Sequence, residues 1–568
     1  MASKASLGRP ATRINMTLVL SCMSTMLMFA YNTSIACAYT PGSINASTSS
    51  TNSGMGSSNK LLDGLNVAII GAGPSGLLLA HRLLKSGSSV SLFESRDDPR
   101  KIDAAIDNSK AYALGIGIRG RTAIKTVDEE LWELVKSKGF PCDKFHLHLN
   151  PSLKVKLRDD ERDTMEGLEA SILLFQTDLC SALLEELDKR YVATSKLKLF
   201  FNSKVDACGL INNGEELIQP PIDIFGKGAK QQADLFDLIV GCDGFRSTVR
   251  KSMEAYAPNI VTTQMRELPG LAKVITLPEA SAERLDAKSV HLLLPSGSGA
   301  GSVTAFIEPT VRGSCVLFAG RISEETTSED SENHRLQLMD MNTNIDADQA
   351  SELGAAVRNA FPLLEKELTD EAVLQVAQQK PFVSAVVKAN TYHCGLFAIC
   401  GDAAHATGGV SGQGCNSALC DSVTLANCLE KVHSDLTAFD ESDRSRIVEA
   451  ALLAYSKKAV PEGTALFELA IGPDESISTG RRILSIIYAA FEFIFRGGRT
   501  LQRILGTSVQ PFSDIRKGRD LFFDDSFPDS IEFESSLETI HTSMMKEVGL
   551  CLWEFSFSNA GLCVVTQY

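Results

Sequence analysis

Acidic residues are missing from the first 62 positions; the earliest is Asp63. Basic residues are in deficit over the whole chain: 55 Lys and Arg stand against 70 Asp and Glu in 568 residues, a net charge of −15. That argues against the cationic face by which proteins hold nucleic acid. The 14 cysteines include no C-x-x-C pair and no zinc-type spacing, so neither a zinc module nor a dithiol motif is expected. Their scatter along so long a chain also argues against a disulfide framework. Reduced core thiols, as at Cys242 and Cys400, are the expectation. What remains is a globular composition, 44% apolar and 22% charged, with length enough for two or three domains.

The acid-free N-terminus has its own order. Lys4, Arg9 and Arg13 precede an apolar run from Met16 to Ala30, and small residues follow at Ala36-Cys37-Ala38. This is the layout of a secretory signal, and the run is shorter than the roughly 20 residues of a membrane span. From Tyr39 to Lys60 the chain is rich in Ser, Thr and Asn, like a transit peptide. Residues 1–60 are therefore expected to be a removable targeting segment. The junction from Ala36 to Pro41 resembles that of bipartite plastid signals, which points to a plastid. A plain secretory signal or an uncleaved membrane anchor is the alternative.

From Leu65 to Ile70 a short apolar run leads into Gly71-x-Gly73-x-x-Gly76. Leu77, Leu78, Leu79, Leu83 and Leu84 continue at helical spacing to Gly87, and Ser89 to Phe93 reads as a second strand ending in Glu94. This is the βαβ context that a dinucleotide fingerprint requires. Gly71 permits the tight turn, Gly73 lets the backbone approach a pyrophosphate, and Gly76 lets helix and strand pack closely. The helix N-terminus offers free N–H groups and a positive dipole end to the phosphates. Glu94 is placed to accept from a ribose hydroxyl, and its charge disfavours a 2′-phosphate. Arg96 stands with it among the cofactor-binding candidates.

Two further strand-to-loop signatures follow. Asp237-Leu-Ile-Val-Gly-Cys-Asp-Gly-Phe-Arg-Ser-Thr-Val-Arg250 contains Asp243 and Gly244. Leu396-Phe-Ala-Ile-Cys-Gly-Asp402 continues as Ala-Ala-His-Ala-Thr-Gly-Gly-Val-Ser-Gly-Gln-Gly-Cys-Asn416. In these residues, in Ile118 to Ile124 and in Leu277 to Ala282, the chain resembles the group A flavoprotein monooxygenases, which have the p-hydroxybenzoate hydroxylase fold. Within that group it is most similar to the kynurenine 3-monooxygenases, from about Val67 to Asp520.

The resemblance implies an α/β fold: a Rossmann-like FAD-binding domain interleaved with an antiparallel-sheet substrate domain, plus a helical C-terminal tail. It implies tightly bound FAD, transient NADPH, and O2. Asp243 and Gly244 would lie near the pyrophosphate, and Asp402 would bind the ribityl chain; the bland alternative makes both aspartates turn residues. Gly412-Gln413-Gly414-Cys415-Asn416 opens a helix with a buried stripe at Ala418, Leu419, Ser422, Leu425, Ala426 and Leu429. Its amides and dipole suit the negative charge of a reduced flavin, so Gly412, Gln413, Gly414 and Asn416 are expected to meet the isoalloxazine ring. Arg119 matches a family arginine close to the cofactor. Gln176 stands where the family has an arginine near FAD, and Val205 matches a position whose backbone meets the adenine. Structural roles are the alternative for all three. His405 reads as a packed or hydrogen-bonding histidine rather than a general base. No catalytic side chain and no metal ligand is assigned.

The match fails in two places. Gly409 stands where the family has a proline beside the flavin, which gives more backbone freedom. The arginine and tyrosine with which kynurenine 3-monooxygenases hold their amino acid cannot be placed. The corresponding stretch, Lys144 to Leu149, reads as one arm of a β-hairpin with Lys154 and Lys156 in the other. Those lysines form a solvated face or, alternatively, an acid-binding pocket. Gly297 to Gly301 joins two strand patterns and lacks a following helix, so it reads as a hairpin loop rather than a second nucleotide site.

The FAD-binding monooxygenase domain is expected over 61–460, from segments 61–140, 165–255 and 385–460. The substrate sheet is inserted at about 141–164 and 256–384, with strands at 273–277, 290–294, 303–307 and 315–319. A helical region covers 461–568. Within it Ile483 to Phe495 is apolar and flanked by arginines; a buried helix is expected, with peripheral membrane contact through 481–499 as the alternative. The implied function is NAD(P)H-dependent transfer of one oxygen atom from a flavin C4a-hydroperoxide to an aromatic or other electron-rich small molecule. Isoprenoid or carotenoid epoxidation and non-catalytic FAD binding are the alternatives. A halogenase is disfavoured, because neither Trp132 nor Trp553 lies in a W-x-W-x-I-P motif.

Overall fold

The computed structural model describes residues 61–101, 112–159, 169–208, 211–212, 217–218, 222–226, 229–230, 236–277, 285–296, 303–320, 338–339, 345–409, 411–435, 444–471 and 501–517. The targeting segment, the glycine-rich 297–301 loop and the apolar 483–495 stretch lie outside the described residues. Nearly all described residues form one compact unit; only Asn212, Leu217 and Ile218 fall in a second.

In chain order the strands used below are β1 (Asn66–Ile70), β2 (Ser89–Phe93), β3 (Ala113–Ile116), β4 (Lys144–Asn150), β5 (Leu153–Asp159), β6 (Ser171–Phe175), β7 (Leu197–Phe200) and β8 (Ser203–Cys208). They continue as β9 (Leu238–Gly241), β10 (Thr263–Leu277), β11 (Ser289–Leu293), β12 (Thr304–Thr310), β13 (Gly313–Gly320), β14 (Phe382–Ala389), β15 (His393–Cys394) and β16 (Phe397–Ile399). The helices are α1 (Pro74–Lys85), α2 (Ile118–Val127), α3 (Gln176–Tyr191), α4 (Thr248–Tyr256), α5 (Ala347–Ala360), α6 (Asp370–Ala377), α7 (Asp402–His405), α8 (Gly414–Asp435), α9 (Arg444–Ile471), α10 (Leu501–Thr507) and α11 (Phe512–Lys517).

A six-stranded sheet runs in the order β15–β16–β9–β1–β2–β7, parallel except for its β15 edge. The central strands are continuous apolar runs buried throughout, Val67 to Ile70 and Leu238 to Val240, as parallel strands covered on both faces must be. α1 starts directly after β1 with Pro74 in its first turn, where a missing N–H costs nothing. It buries Leu77, Leu78, Leu79, Leu83 and Leu84, and packs against α8.

The second sheet has seven strands in the order β14–β10–β13–β12–β11–β4–β5. It departs from the antiparallel expectation at one seam: β11 and β4 run parallel, with Ser289 opposite Lys144 and Leu293 opposite His148. β14 also belongs to it and continues to Ala389, beyond the 384 limit expected for the inserted sheet. One face of the sheet, with Ile275, Leu293, Ala305, Ile307, Val316 and Phe318, is closed by α5 and α6. The other carries Phe145, Leu147, Leu292 and Phe306. There Val274 and Cys315 pack on Ala113 of β3 and Phe175 of β6.

α9 runs for 28 residues through Pro461, so the boundary expected at 460 falls inside a helix. α10 and α11 are held to it by Leu466, Leu469, Leu505, Phe512 and Ile515. Among the described residues no helix is long and apolar enough to cross a membrane.

Candidate active site

β1, β9 and β16 are neighbours and parallel, so the three motif loops leave the same edge of one sheet. They are packed back to back. The Cys242 N–H donates to Ile70 O at 2.7 Å, and the Cys400 N–H to Gly241 O at 2.9 Å. Gly71 sits at φ +106, and a Cβ there would lie 2.3 Å from Cys242 O. A Cβ on Gly76 would lie 2.1 Å from Gly71 O, and one on Gly401 would lie 2.9 Å from Ala418 Cβ. On the opposite side the crowding ends. Nothing lies within 4 Å of where a Cβ would stand on Gly73 or on Gly244. Crowded backs and open fronts, with the N-terminus of α1 behind Gly73, fit a cradle for a pyrophosphate.

Two of the acidic residues are tied into the loops themselves. Glu94 is buried; its Oε2 accepts from the Ala72 N–H at 2.9 Å, and its Oε1 accepts from the Arg96 N–H and Nε, both at 2.9 Å. Burial opposes its charge, but the Arg96 guanidinium outweighs burial and holds the carboxyl below its ordinary range. Asp243 Oδ2 accepts from the Thr248 N–H at 2.6 Å and the Val249 N–H at 3.3 Å, in the first turn of α4. Its Oδ1 is buried with no partner, and burial pushes its carboxyl up. The turn role suggested for Asp243 therefore accounts for one oxygen, and the other is buried without a partner.

Asp402, the first residue of α7, is open to solvent, yet enough protein surrounds it that burial pushes its carboxyl up. Tyr112 behaves alike. It is 40% exposed, and its phenol is pushed up by burial and then by the neighbouring Asp402 and Cys415. A recess that solvent enters accounts for both. A Cβ on Gly414 would stand 3.8 Å from Asp402 Oδ1, so the N-terminus of α8 reaches the same cleft. Gly412 is exposed there, and Gln413 is buried, with its N–H donated to Ser411 Oγ at 3.1 Å. Tyr112 carried no signal in the sequence. Its place is set by the strand pair of β3 with β6, which also brings the Gln176 N–H to Tyr112 O at 3.2 Å.

Three expected contacts are placed differently. Asn416 is buried, and its side chain is engaged by protein: Oδ1 accepts from the Gly117 and Gly120 N–H groups at 2.9 and 3.2 Å, and Nδ2 donates to Gly115 O at 2.9 Å. It caps α2 from a distant part of the chain. Arg119 is also turned away. Its Nη1 donates to Leu505 O at 2.5 Å, its Nη2 to Gln510 O, and its guanidinium covers the Phe512 ring at 4.3 Å. Val205 lies inside β8, paired with Ile224; its strand meets the cradle at Ser203, whose N–H donates to Glu94 O at 2.9 Å.

His405 has a structural place. Its Nε2 lies 2.5 Å from Asp421 Oδ2, which also accepts the Gly401 N–H at 2.9 Å. Burial works against its charge, but Asp421 prevails and the imidazole pKa is raised. The network holds the Gly401–Asp402 turn in position. In the β4–β5 hairpin Lys154 and Lys156 are exposed, which fits the solvated face. The buried polar residues of that region are histidines instead, with His148 Nε2 2.9 Å from His291 Nδ1 and His146 stacked on His291 at 5.4 Å.

Comparison with known proteins agrees with this geometry. The family model described as FAD binding domain matches residues 64–452. The chain is 27% identical over 432 residues to kynurenine 3-monooxygenase of Cryptococcus neoformans var. neoformans serotype D, covering 71% of this chain and 77% of the relative. It is 26% identical over 388 residues to violacein synthase of Chromobacterium violaceum, covering 67% and 82%. Among solved structures, p-nitrophenol 4-monooxygenase PnpA from Pseudomonas putida DLL-E4 aligns with a TM-score of 0.52 at 17% identity, covering 78% of this chain and 96% of that one. With the family match spanning well over half of the sequence and its three loops meeting at one cleft, the chain belongs to the FAD binding domain family and is an FAD-dependent monooxygenase of group A.

Proposed function

We propose that this protein uses NADPH and O2 to place one oxygen atom on an aromatic or other electron-rich small molecule. One observation carries the reading: a recessed cleft where three motif loops, Asp402 and the N-terminus of α8 converge. The Gly73 and Gly244 backbones would approach the FAD pyrophosphate, and Glu94 would accept from the ribose. Asp402 would accept from the ribityl hydroxyls. The α8 N-terminus, bared by Gly412 and Gly414, would stabilise negative charge on the ring. Bound FAD supplies hydride acceptance and activation of O2. The chain's own tasks are to orient, to supply fixed dipoles and to keep water out. No side-chain nucleophile is needed for that work, and His405 of the third motif is committed to Asp421. Relatives named for kynurenine and for violacein leave the substrate class broad.

The purified protein should be yellow and should release FAD on denaturation. NADPH oxidation in air should then be stimulated by a member of a panel of aromatic acids, quinone precursors and carotenoids, with an oxygenated product matching the NADPH consumed. Protein that stays colourless after soaking with FAD refutes the reading. Yellow protein whose NADPH oxidation no compound stimulates favours non-catalytic FAD binding. A plastid address is proposed for residues 1–60, tested by the destination of a fluorescent protein fused to them.

A further inference from the structure

His146 and His148 of β4 and His291 of β11 are 3%, 5% and 2% exposed. They meet on one face of the seven-stranded sheet, at its parallel seam. Register sets His146 opposite His291; the two rings stack at 5.4 Å, and the His148 ring lies 5.1 Å from His291. Hydrogen bonds limit how many protons this group can hold. Asp286 O can only accept, so His291 Nε2, 2.9 Å away, donates to it. His291 Nδ1 lies 2.9 Å from His148 Nε2, and a bond there needs one N–H and one bare nitrogen. The pair therefore accommodates one extra proton and never two, because a second would set two N–H groups head to head. His146 Nδ1 is buried with no partner, so a proton placed on it would meet no acceptor.

The charged groups around the cluster come from three places. On β5, Lys156 stands opposite His146 and Lys154 opposite His148; like charges directly opposed destabilise a strand pair. Lys144 lies on β4, and the one carboxylate, Asp286, sits in the turn before β11. Its oxygens already accept from the Lys288 N–H at 3.1 Å and from Ser289 Oγ at 2.9 Å. Burial lowers all three imidazole pKa values, and His291 and Lys154 add to it for His146 and His148, which fall to about 4. β5 is the sheet edge and bonds within the sheet to β4 alone, so the hairpin joins the sheet at the β4–β11 seam. One face of that seam is closed by Phe145, Leu147 and Leu292, the other by the histidines.

We propose that His146, His148 and His291 form an acid-sensitive latch, which holds the β4–β5 hairpin on β11 while the imidazoles are neutral and releases it on acidification, with the six-stranded cofactor sheet still folded. This device goes beyond the oxygenation reading and stands without it. The sign follows from burial. An imidazole freed by opening titrates near the ordinary value of about 6.5, and in the closed seam it titrates lower. The latch is therefore complete above about pH 6.5 and weakens as pH falls toward the closed-state values, where each histidine makes opening about tenfold more favourable per pH unit.

The test is amide hydrogen exchange on the full-length protein saturated with FAD, with protection taken relative to the unfolded chain at the same pH. Between pH 7 and pH 5, amides of β4 and β5 should lose protection on the order of 100-fold, while those of β1 and α1 keep theirs within about tenfold. His146→Phe keeps the stack on His291 and removes one titrating ring, so the loss should shrink by roughly tenfold. The exposed pair Lys154→Gln and Lys156→Gln, made together, disturbs no core; it should shrink the loss as well, because a closed seam without those cations tolerates a proton better. Protection in the hairpin that is level from pH 7 to pH 5 overturns the proposal. So does a loss shared equally by β1 and α1, which is global acid unfolding, and so does a loss unchanged in both the His146 and the lysine variants.

Discussion

Alanine at Gly71 and at Gly73, two positions apart in one loop, should produce different failures. At Gly71 the backbone is at φ +106, a conformation that costs an L-residue roughly 1–2 kcal/mol. The new Cβ would also stand 2.3 Å from Cys242 O and 2.7 Å from Cys242 C. Those are backbone atoms of the adjacent loop and cannot rotate away, so overpacking adds about 1–3 kcal/mol. The sum, about 2–5 kcal/mol, is a large part of a typical stability of about 5–15 kcal/mol. Gly71→Ala should therefore fold, lower the melting temperature of the apoprotein and weaken FAD by shifting two loops together. Gly73 has φ −77 as the N-cap of α1 and no neighbour within 4 Å of a Cβ. Alanine there costs the fold at most about 1 kcal/mol, but its methyl points where a phosphate must come. FAD affinity should fall on the order of 10–100-fold, or about 1.4–2.7 kcal/mol. Urea melts of both apoproteins and fluorescence titration with FAD separate the two effects. Wild-type FAD affinity in Gly73→Ala would falsify the cradle, and equal apoprotein melts for the two variants would remove the back-to-back packing argument.

Asn416→Ala strips partners from the Gly117 and Gly120 N–H groups and from Gly115 O; at about 1 kcal/mol each, the unfolding free energy from urea melts should drop by about 3 kcal/mol, and a smaller loss would mean that water replaces the amide. Arg119→Met leaves Leu505 O and Gln510 O without their donor and should loosen α10 and α11, seen as faster proteolytic cleavage within 501–517 at unchanged FAD content. The His405–Asp421 pair should make stability pH-dependent: its raised folded pKa means the charge contribution is complete below the unfolded value of about 6.5 and fades as pH rises through the folded value. Asp421→Asn should therefore lose more stability at pH 6 than at pH 9 in parallel urea melts, and a loss independent of pH would show that His405 is neutral.

The cradle was legible because its signals are local. An apolar run, three glycines at fixed spacing, leucines on a 3.6-residue period and a terminal Glu94 specify β1, α1 and β2 within thirty residues. The side-chain partners that were not legible depend on distance along the chain. Nothing near Asn416 announces that its partners lie some 300 residues earlier, and nothing near Arg119 announces carbonyls at 505 and 510. The parallel seam between β11 and β4 has the same origin, since two strands so far apart in sequence meet in a direction no hairpin could impose. The second face of the seven-stranded sheet is a further case: in Thr304 to Thr310 the alternation turns Ala305 and Ile307 toward one core, and only the packing of β3 and β6 on the other face encloses Val274 and Cys315 as well.

This chain departs from the family pattern at Gly409 and at Gln176. The resemblance puts a proline at Gly409, but Gly409 is at φ +79 with nothing within 4 Å of its Cβ position, and proline is confined to φ near −65°. The loop therefore follows a path closed to the family sequence. It is pinned at one end by the bridge of Thr407 to Val386 on β14. Gly408 faces Leu268 of β10 so closely that a Cβ would stand 2.5 Å from Leu268 Cδ1. Both contacts belong to the seven-stranded sheet, whereas Gly71, Gly73, Gly76, Asp243 and Asp402 keep the family pattern on the six-stranded one. Gln176 lies apart from that loop, at the start of α3 beside Tyr112, where the resemblance puts a cofactor contact. One change on the sheet side and one on the cofactor side, around a phosphate cradle that keeps its glycines, fit the same oxygen chemistry turned to a different small molecule.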